Sequence, residues 1–122
     1  MILADTTIWI DHFRSENREM RSQLDKRNIA IHPFIVGELA LGSLRDRAQT
    51  LAWLDLLPQV RVAQLGEVRQ MIEARGLHSR GIGLTDAHLI ASVFIHPPTK
   101  LWTKDKRLSS VAETLGIHTT LP

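Results

Sequence analysis

Short apolar runs, each leading into a helical pattern, constrain this chain more than any other feature. Ile2-Leu3-Ala4 is the first. Asn28-Ile29-Ala30-Ile31, Val60-Arg61-Val62, Leu101-Trp102-Thr103 and Ile117-His118-Thr119 follow. The first of these is too apolar for a strand with one wet face and suits a strand covered on both sides. Helical patterns fill the intervals. Ile8 to Phe13 forms a helix behind an N-cap at Thr6 or Thr7. Glu16 to Lys26, Phe34 to Ser43, Arg45 to Leu57 and Leu65 to Arg75 follow. A very apolar helix then opens at Leu84-Thr85-Asp86 and runs to Pro97-Pro98. Lys106 to Leu115 is the last. Gly42, Gly76 and Gly116 are placed to end helices. Strands alternating with helices predict an α/β fold around a parallel sheet. At 122 residues, with no repeat or linker, residues 1–122 are expected to form a single domain.

Composition removes several function classes. There is no cysteine, which excludes a disulfide scaffold, a thiolate zinc site and a cysteine nucleophile. No basic-then-apolar leader opens the sequence and no apolar run approaches the length of a membrane span, so a cytoplasmic, soluble domain is expected. Net charge is only +2, but 11 of the 15 basic residues are arginine. The guanidinium fork matches phosphate oxygens bidentately, which leans toward a phosphate-bearing partner.

Four acids draw the chemistry together. Asp5 follows the first strand directly, at a strand-to-helix switch where open α/β sheets place their functional crevice. Asp105 stands just beyond the strand Leu101-Trp102-Thr103. If the sheet is parallel, both emerge at the same edge. Asp86 lies in the first turn of the apolar helix. Glu38 shares a helix face with Phe34 and Leu41, and a carboxylate buried on an apolar face must be paired, neutralised or metal-bound. Taken singly, Asp5, Asp86 and Asp105 have ordinary explanations as turn or helix-cap residues. Taken together, four like charges in one place raise each other's pKa unless a cation sits among them. All-oxygen ligation without cysteine or a paired-histidine motif suits Mg²⁺ or Mn²⁺.

The pieces Leu3-Ala4-Asp5-Thr6-Thr7, Val36-Gly37-Glu38-Leu39-Ala40-Leu41-Gly42, Thr85-Asp86-Ala87-His88-Leu89-Ile90-Ala91 and Thr103-Lys104-Asp105 resemble the successive acidic motifs of PIN-domain nucleases. Their order and coverage resemble the VapC-type toxins of bacterial toxin–antitoxin pairs. The resemblance implies a PIN-like α/β/α sandwich with a central parallel sheet of four or five strands. It implies a Mg²⁺- or Mn²⁺-dependent endoribonuclease that hydrolyses RNA phosphodiester bonds. Asp5, Glu38, Asp86 and Asp105 match the catalytic and metal-binding quartet, with Thr6 and Thr103 as supporting hydroxyls. Asp5 and Asp86 are the expected direct ligands; Glu38 and Asp105 are expected to work through water or to orient the nucleophile. The resemblance also implies neutralisation by a cognate VapB-type antitoxin lying across the active-site groove of a homodimer. One departure stands out: Lys106-Arg107-Leu108 follows the last motif where the family often has an acid and an aromatic.

Arg14, Arg80, Lys104, Lys106 and Arg107 are candidate phosphate contacts at the rim. Trp9, Trp53 and Trp102 are expected in the core or an interface. The helix carrying Leu51, Leu54 and Leu57 is expected either to pack inside or to form an association surface. His88 is expected to be structural, and no other histidine has metal-ligand spacing. Two alternatives differ in class. A receiver-type phosphoacceptor would need adjacent acids after the first strand and an acid ending a middle one; Val60-Arg61-Val62-Ala63 has none. A catalytically inactive RNA- or protein-binding module on the same fold would have no use for four mutually repelling acids.

Overall fold

Strand β1 (Ile2–Ala4) lies at the centre of a parallel sheet, between β2 (Ile29–Ala30) and β3 (Lys100–Trp102). The computed structural model describes all 122 residues, Met1–Pro122. Ile2 and Leu3 stand opposite Ile29 and Ala30 on one side; Ile2, Leu3 and Ala4 stand opposite Lys100, Leu101 and Trp102 on the other. Successive strand residues point to opposite faces of a sheet. Ile2, Leu3, Ala4, Ile29 and Ala30 are nevertheless all buried. Helices therefore cover both faces, as the apolar run predicts, and the architecture is an α/β/α sandwich.

The sheet is narrower than four or five full strands. Three strands carry ladders, and one parallel bridge extends each edge: Ile31 with Gln59 beyond β2, and Leu101 with His118 beyond β3. The expected strand Val60-Arg61-Val62 stops after a single step. Val60 N–H still donates to the Ile31 carbonyl at 3.1 Å, but Arg61 N–H turns to His96 Nδ1 at 3.3 Å. At the other edge Leu101 N–H donates to the Ile117 carbonyl at 2.7 Å, and the Leu101 carbonyl accepts from Thr119 N–H at 2.9 Å.

Seven helices complete the chain: α1 (Thr6–Arg14), α2 (Arg18–Asp25), α3 (Pro33–Leu41), α4 (Arg47–Asp55), α5 (Leu65–Arg75), α6 (Leu84–Ile95) and α7 (Lys106–Thr114). Two starts differ from expectation. Asp5, not Thr6 or Thr7, caps α1, because its carboxylate reaches the amides of both Thr7 and Ile8. Helix α6 starts behind Gly83 rather than at a Thr85 cap, and Asp86 accepts back from the Gly83 amide at 3.3 Å. Gly76 ends α5 in the left-handed conformation at φ 62°, as a glycine at that position permits.

The main core holds 23 buried side chains. Trp9 is fully buried within it, with Phe13 at 5.6 Å and Trp53 edge-on at 5.9 Å between ring centroids. Trp102 is buried and Trp53 is partly exposed. Helix α4 encloses Leu54 fully; Leu51 in the helix and Leu57 just beyond it pack at the core's edge. No helix is long and apolar enough to cross a membrane. Because Ala4 pairs with Trp102, the residues that follow each strand leave the sheet side by side. That register delivers Asp5 next to Thr103-Lys104-Asp105.

Candidate active site

Asp5 is the buried centre of the site, with 4% of its surface exposed. Its backbone N–H donates to the Trp102 carbonyl at 3.0 Å, fixing β1 to β3 at this point. Its carboxylate receives four hydrogen bonds. The Thr7 and Ile8 amides donate to Oδ1 at 3.0 and 3.3 Å, and Thr7 Oγ1 donates to the same oxygen at 2.5 Å. Thr103 Oγ1 donates to Oδ2 at 2.5 Å. Each hydroxyl in turn accepts a backbone amide: Thr7 Oγ1 takes Lys104 N–H at 2.9 Å, and Thr103 Oγ1 takes Asp105 N–H at 3.0 Å. Both hydroxyl protons are thereby directed into Asp5, and the turn carrying Asp105 is held to it. Thr7 was not distinguished from a simple helix cap by sequence; only the β1–β3 register shows that its hydroxyl faces the other strand's exit.

The other three acids sit around this centre on separate supports. Asp105 is exposed and caps α7, Oδ1 accepting from Leu108 N–H at 2.9 Å. Asp86 is half-buried in the first turn of α6. Glu38 does not lie on a buried face. Phe34 is 39% and Leu41 90% exposed, so the face they share with Glu38 looks outward, and the buried face of α3 carries Ile35 and Leu39. Glu38 reaches the site by another route: Thr6 Oγ1 donates to its carboxylate at 2.6 Å, joining α3 to the start of α1.

Charge and burial oppose each other here. Burial raises the Asp5 carboxyl above its ordinary 3.8, and the hydrogen bonds from Thr103, Thr7 and Ile8 recover only part of that cost. Asp86 is also raised, first by burial and then by the negative charges of Asp5, Asp105 and Glu38. The four expected acids thus share one electrostatic neighbourhood. They do not form a finished cage, since no three acidic or histidine side chains converge closely enough to hold one ion between them. This donor set still fits a hard divalent cation. Mg²⁺ keeps several waters and takes as few as one or two carboxylates, and exposed Glu38 and Asp105 have room to adjust.

Among the expected rim cations, Lys104 is already engaged: its Nζ donates to Asp11 Oδ2 at 2.9 Å. Arg14, Arg80, Lys106 and Arg107 make no ion pair. His88 is buried, with its ring 4.6 Å from Phe34 and 6.4 Å from His32 between centroids, in keeping with a structural role. His32, which sequence left without a function, caps α3: its Nδ1 accepts Phe34 N–H at 2.9 Å. Burial, and secondarily His88, push its pKa down to about 4, so it stays neutral and able to accept. The helix that carries Glu38 therefore begins on a neutral imidazole.

Comparison with known proteins agrees with this arrangement. A family model described as the PIN domain matches residues 2–114. Ribonuclease VapC32 of Mycobacterium tuberculosis is 38% identical over 117 residues, covering 96% of this chain and 94% of its own, in both strain CDC 1551 / Oshkosh and strain ATCC 25618 / H37Rv. With the motifs in order, the parallel sheet and the acids gathered at its edge, the chain belongs to the PIN domain family.

Proposed function

We propose that this protein is a Mg²⁺- or Mn²⁺-dependent endoribonuclease of the VapC toxin type, acting in the cytoplasm and held in check by a VapB-type antitoxin. The observation that carries the reading is the gathering of Asp5, Asp86, Asp105 and Glu38 at one edge of the sheet, near enough that the charges of the other three add to burial in raising Asp86. A group of acids that destabilise one another where phosphates must approach makes sense only around a cation. The relative's name, Ribonuclease VapC32, supports RNA as the substrate.

In this mechanism Asp5 and Asp86 would hold the ion, and Glu38 and Asp105 would support it or orient the nucleophile. When bound, the cation supplies positive charge against the phosphate oxygens and lowers the pKa of neighbouring water. The protein supplies the rest. Thr7 and Thr103 keep both Asp5 oxygens oriented and the Asp105 turn in place. Thr6 steers Glu38 toward the same side. The sequence carries no base-reading motif, so cleavage is expected to depend on single-strandedness and RNA shape. Exposed Leu41, Leu56 and Trp53 support self-association as a homodimer.

The test is direct. Purified protein incubated with single-stranded RNA and Mg²⁺ is expected to give discrete internal cuts, mapped by sequencing the ends. A chelator should stop them and added Mn²⁺ should restore them. Cutting that continues at full rate in chelator contradicts the metal-dependent reading.

A further inference from the structure

The loop between α5 and α6, residues 77–83, leads straight into the turn that carries Asp86, yet its own backbone is barely tied down. No amide or carbonyl from His78 to Ile82 makes a main-chain hydrogen bond. Ser79 at φ 60° and Gly81 at φ 80° take the left-handed conformation. Packing holds the loop instead. Leu77 is buried, and Ile82 is partly buried against the core. A third hold comes from another element. The Arg107 side chain lies across Gly81 so closely that a Cβ there would stand 2.7 Å from its Cδ and 3.2 Å from Nε and Nη1. Only glycine leaves room for it, and the positive φ selects glycine independently. Arg107 makes no ion pair, so this contact is the work its side chain does within the fold.

Each side of this contact leads to an acid of the site. Arg107 lies in the first turn of α7, two residues after Asp105. That turn is firm: Leu108 is fully buried, and Asp105 Oδ1 accepts from its N–H at 2.9 Å. Gly81 stands two residues before Gly83, whose N–H donates to Asp86 Oδ2 at 3.3 Å. Asp86 and Asp105 repel, since the Asp105 charge is among the causes that raise Asp86. Repulsion pushes the weakly tied loop away from α7. An arginine stem resting on the glycine opposes it by close packing of its methylenes. We propose that Arg107 is a positioning residue: seated on Gly81, it fixes the distance between the turns that carry Asp86 and Asp105, and so the spacing at which those acids meet a cation. The proposal rests on the metal-dependent reading of the same acids. It gives Arg107 a task other than phosphate contact, and it gives the departure at Lys106-Arg107-Leu108 a partner in Gly81.

Two measurements on the full chain test this. In metal-free protein, trypsin cleavage of the Arg80–Gly81 bond, followed by mass spectrometry, reads how often the loop opens. Arg107→Ala is expected to speed that cleavage severalfold. Calorimetry is expected to show its Mn²⁺ affinity about tenfold weaker, the order of loss when a residue that orients metal ligands is removed. Arg107→Met keeps the stem without the charge, and Arg107→Lys keeps both; each should stay close to the parent in both readings. RNA cleavage by Arg107→Ala should recover at saturating Mn²⁺, with KM for RNA and its salt dependence unchanged, which loss of a phosphate contact would not give. Gly81→Ala should also loosen the loop, and adding Arg107→Ala to it should cost little more, because both changes break one contact. Arg69→Ala, on α5, should match the parent throughout, and circular dichroism melts check folding. Parent-like loop cleavage or parent-like Mn²⁺ affinity in Arg107→Ala overturns the proposal. A loss in Arg107→Met equal to that in Arg107→Ala also overturns it, by assigning the effect to charge. The trypsin reading needs neither metal nor RNA, so it can defeat the seat on Gly81 by itself, whereas a parent that binds no Mn²⁺ defeats the proposed function.

Discussion

Asp5→Asn is expected to cut the rate of RNA cleavage by about a thousandfold or more while the protein remains folded. The size follows from the role. A cation at a phosphoryl centre contributes several kcal/mol of charge stabilisation, and each 1.36 kcal/mol is a factor of ten in rate. Asn keeps an oxygen for the Thr7 and Ile8 amides, and Asn caps helices as well as Asp does. It also removes a buried charge whose raised pKa marks the charged form as the disfavoured one. Without divalent cation near neutral pH, the variant should melt no lower than the parent. Cleavage and thermal melts on the same preparation separate the two effects. Unchanged cleavage in a folded variant would remove Asp5 from the mechanism.

Asp86→Asn is the second large effect, and it has a pH signature. Asp5 and Asp86 both have folded-state pKa values above their ordinary 3.8. Between the ordinary value and the raised ones, the folded state binds more protons than the unfolded state, so stability falls as pH rises through that window. Above the raised values the penalty is fully present and stability from these groups is flat. Metal-free protein is therefore expected to be destabilised on going from about pH 4 upward by these two groups. Added Mn²⁺ should reverse that loss near neutrality. Asp86→Asn removes one of the two groups and one source of repulsion, so it should flatten the profile. It should also lower cleavage by about a hundredfold or more through loss of a direct ligand. Chemical denaturation across acidic pH with chelator present checks the slope. A parent-like slope in Asp86→Asn would show that the acids around it do not act on it.

Much of this was legible from the chain alone, for reasons that can be located. Ile2-Leu3-Ala4 is apolar at every position, and only a strand covered on both faces uses such a run; it became the central strand. The four acids were singled out because Asp5 and Asp105 follow strands and Asp86 opens a helix, and motif spacing carried that information. Glu38 was singled out by its motif and by an unsound argument: its face is exposed, and α3 is so apolar overall that sequence could not tell the wet side from the dry one. The helix caps at Asp5 and Gly83 were missed because several capping residues stand in a row at each start. Thr103 was named as a supporting hydroxyl, but its partnership with Thr7 could not be read, because their convergence depends on Ala4 lying opposite Trp102. The seat of Arg107 on Gly81 was equally hidden, since the two residues meet only after α7 and the loop before α6 have packed.

Calorimetric titration of Mn²⁺ into chelator-stripped protein, with Asp5→Asn alongside, tests most directly whether these carboxylates are a metal centre. The parent is expected to bind at a defined stoichiometry, and the variant to lose that binding while its melting curve stays cooperative. Equal uptake by parent and variant, or none by either, would contradict a cation site built on Asp5, Glu38, Asp86 and Asp105.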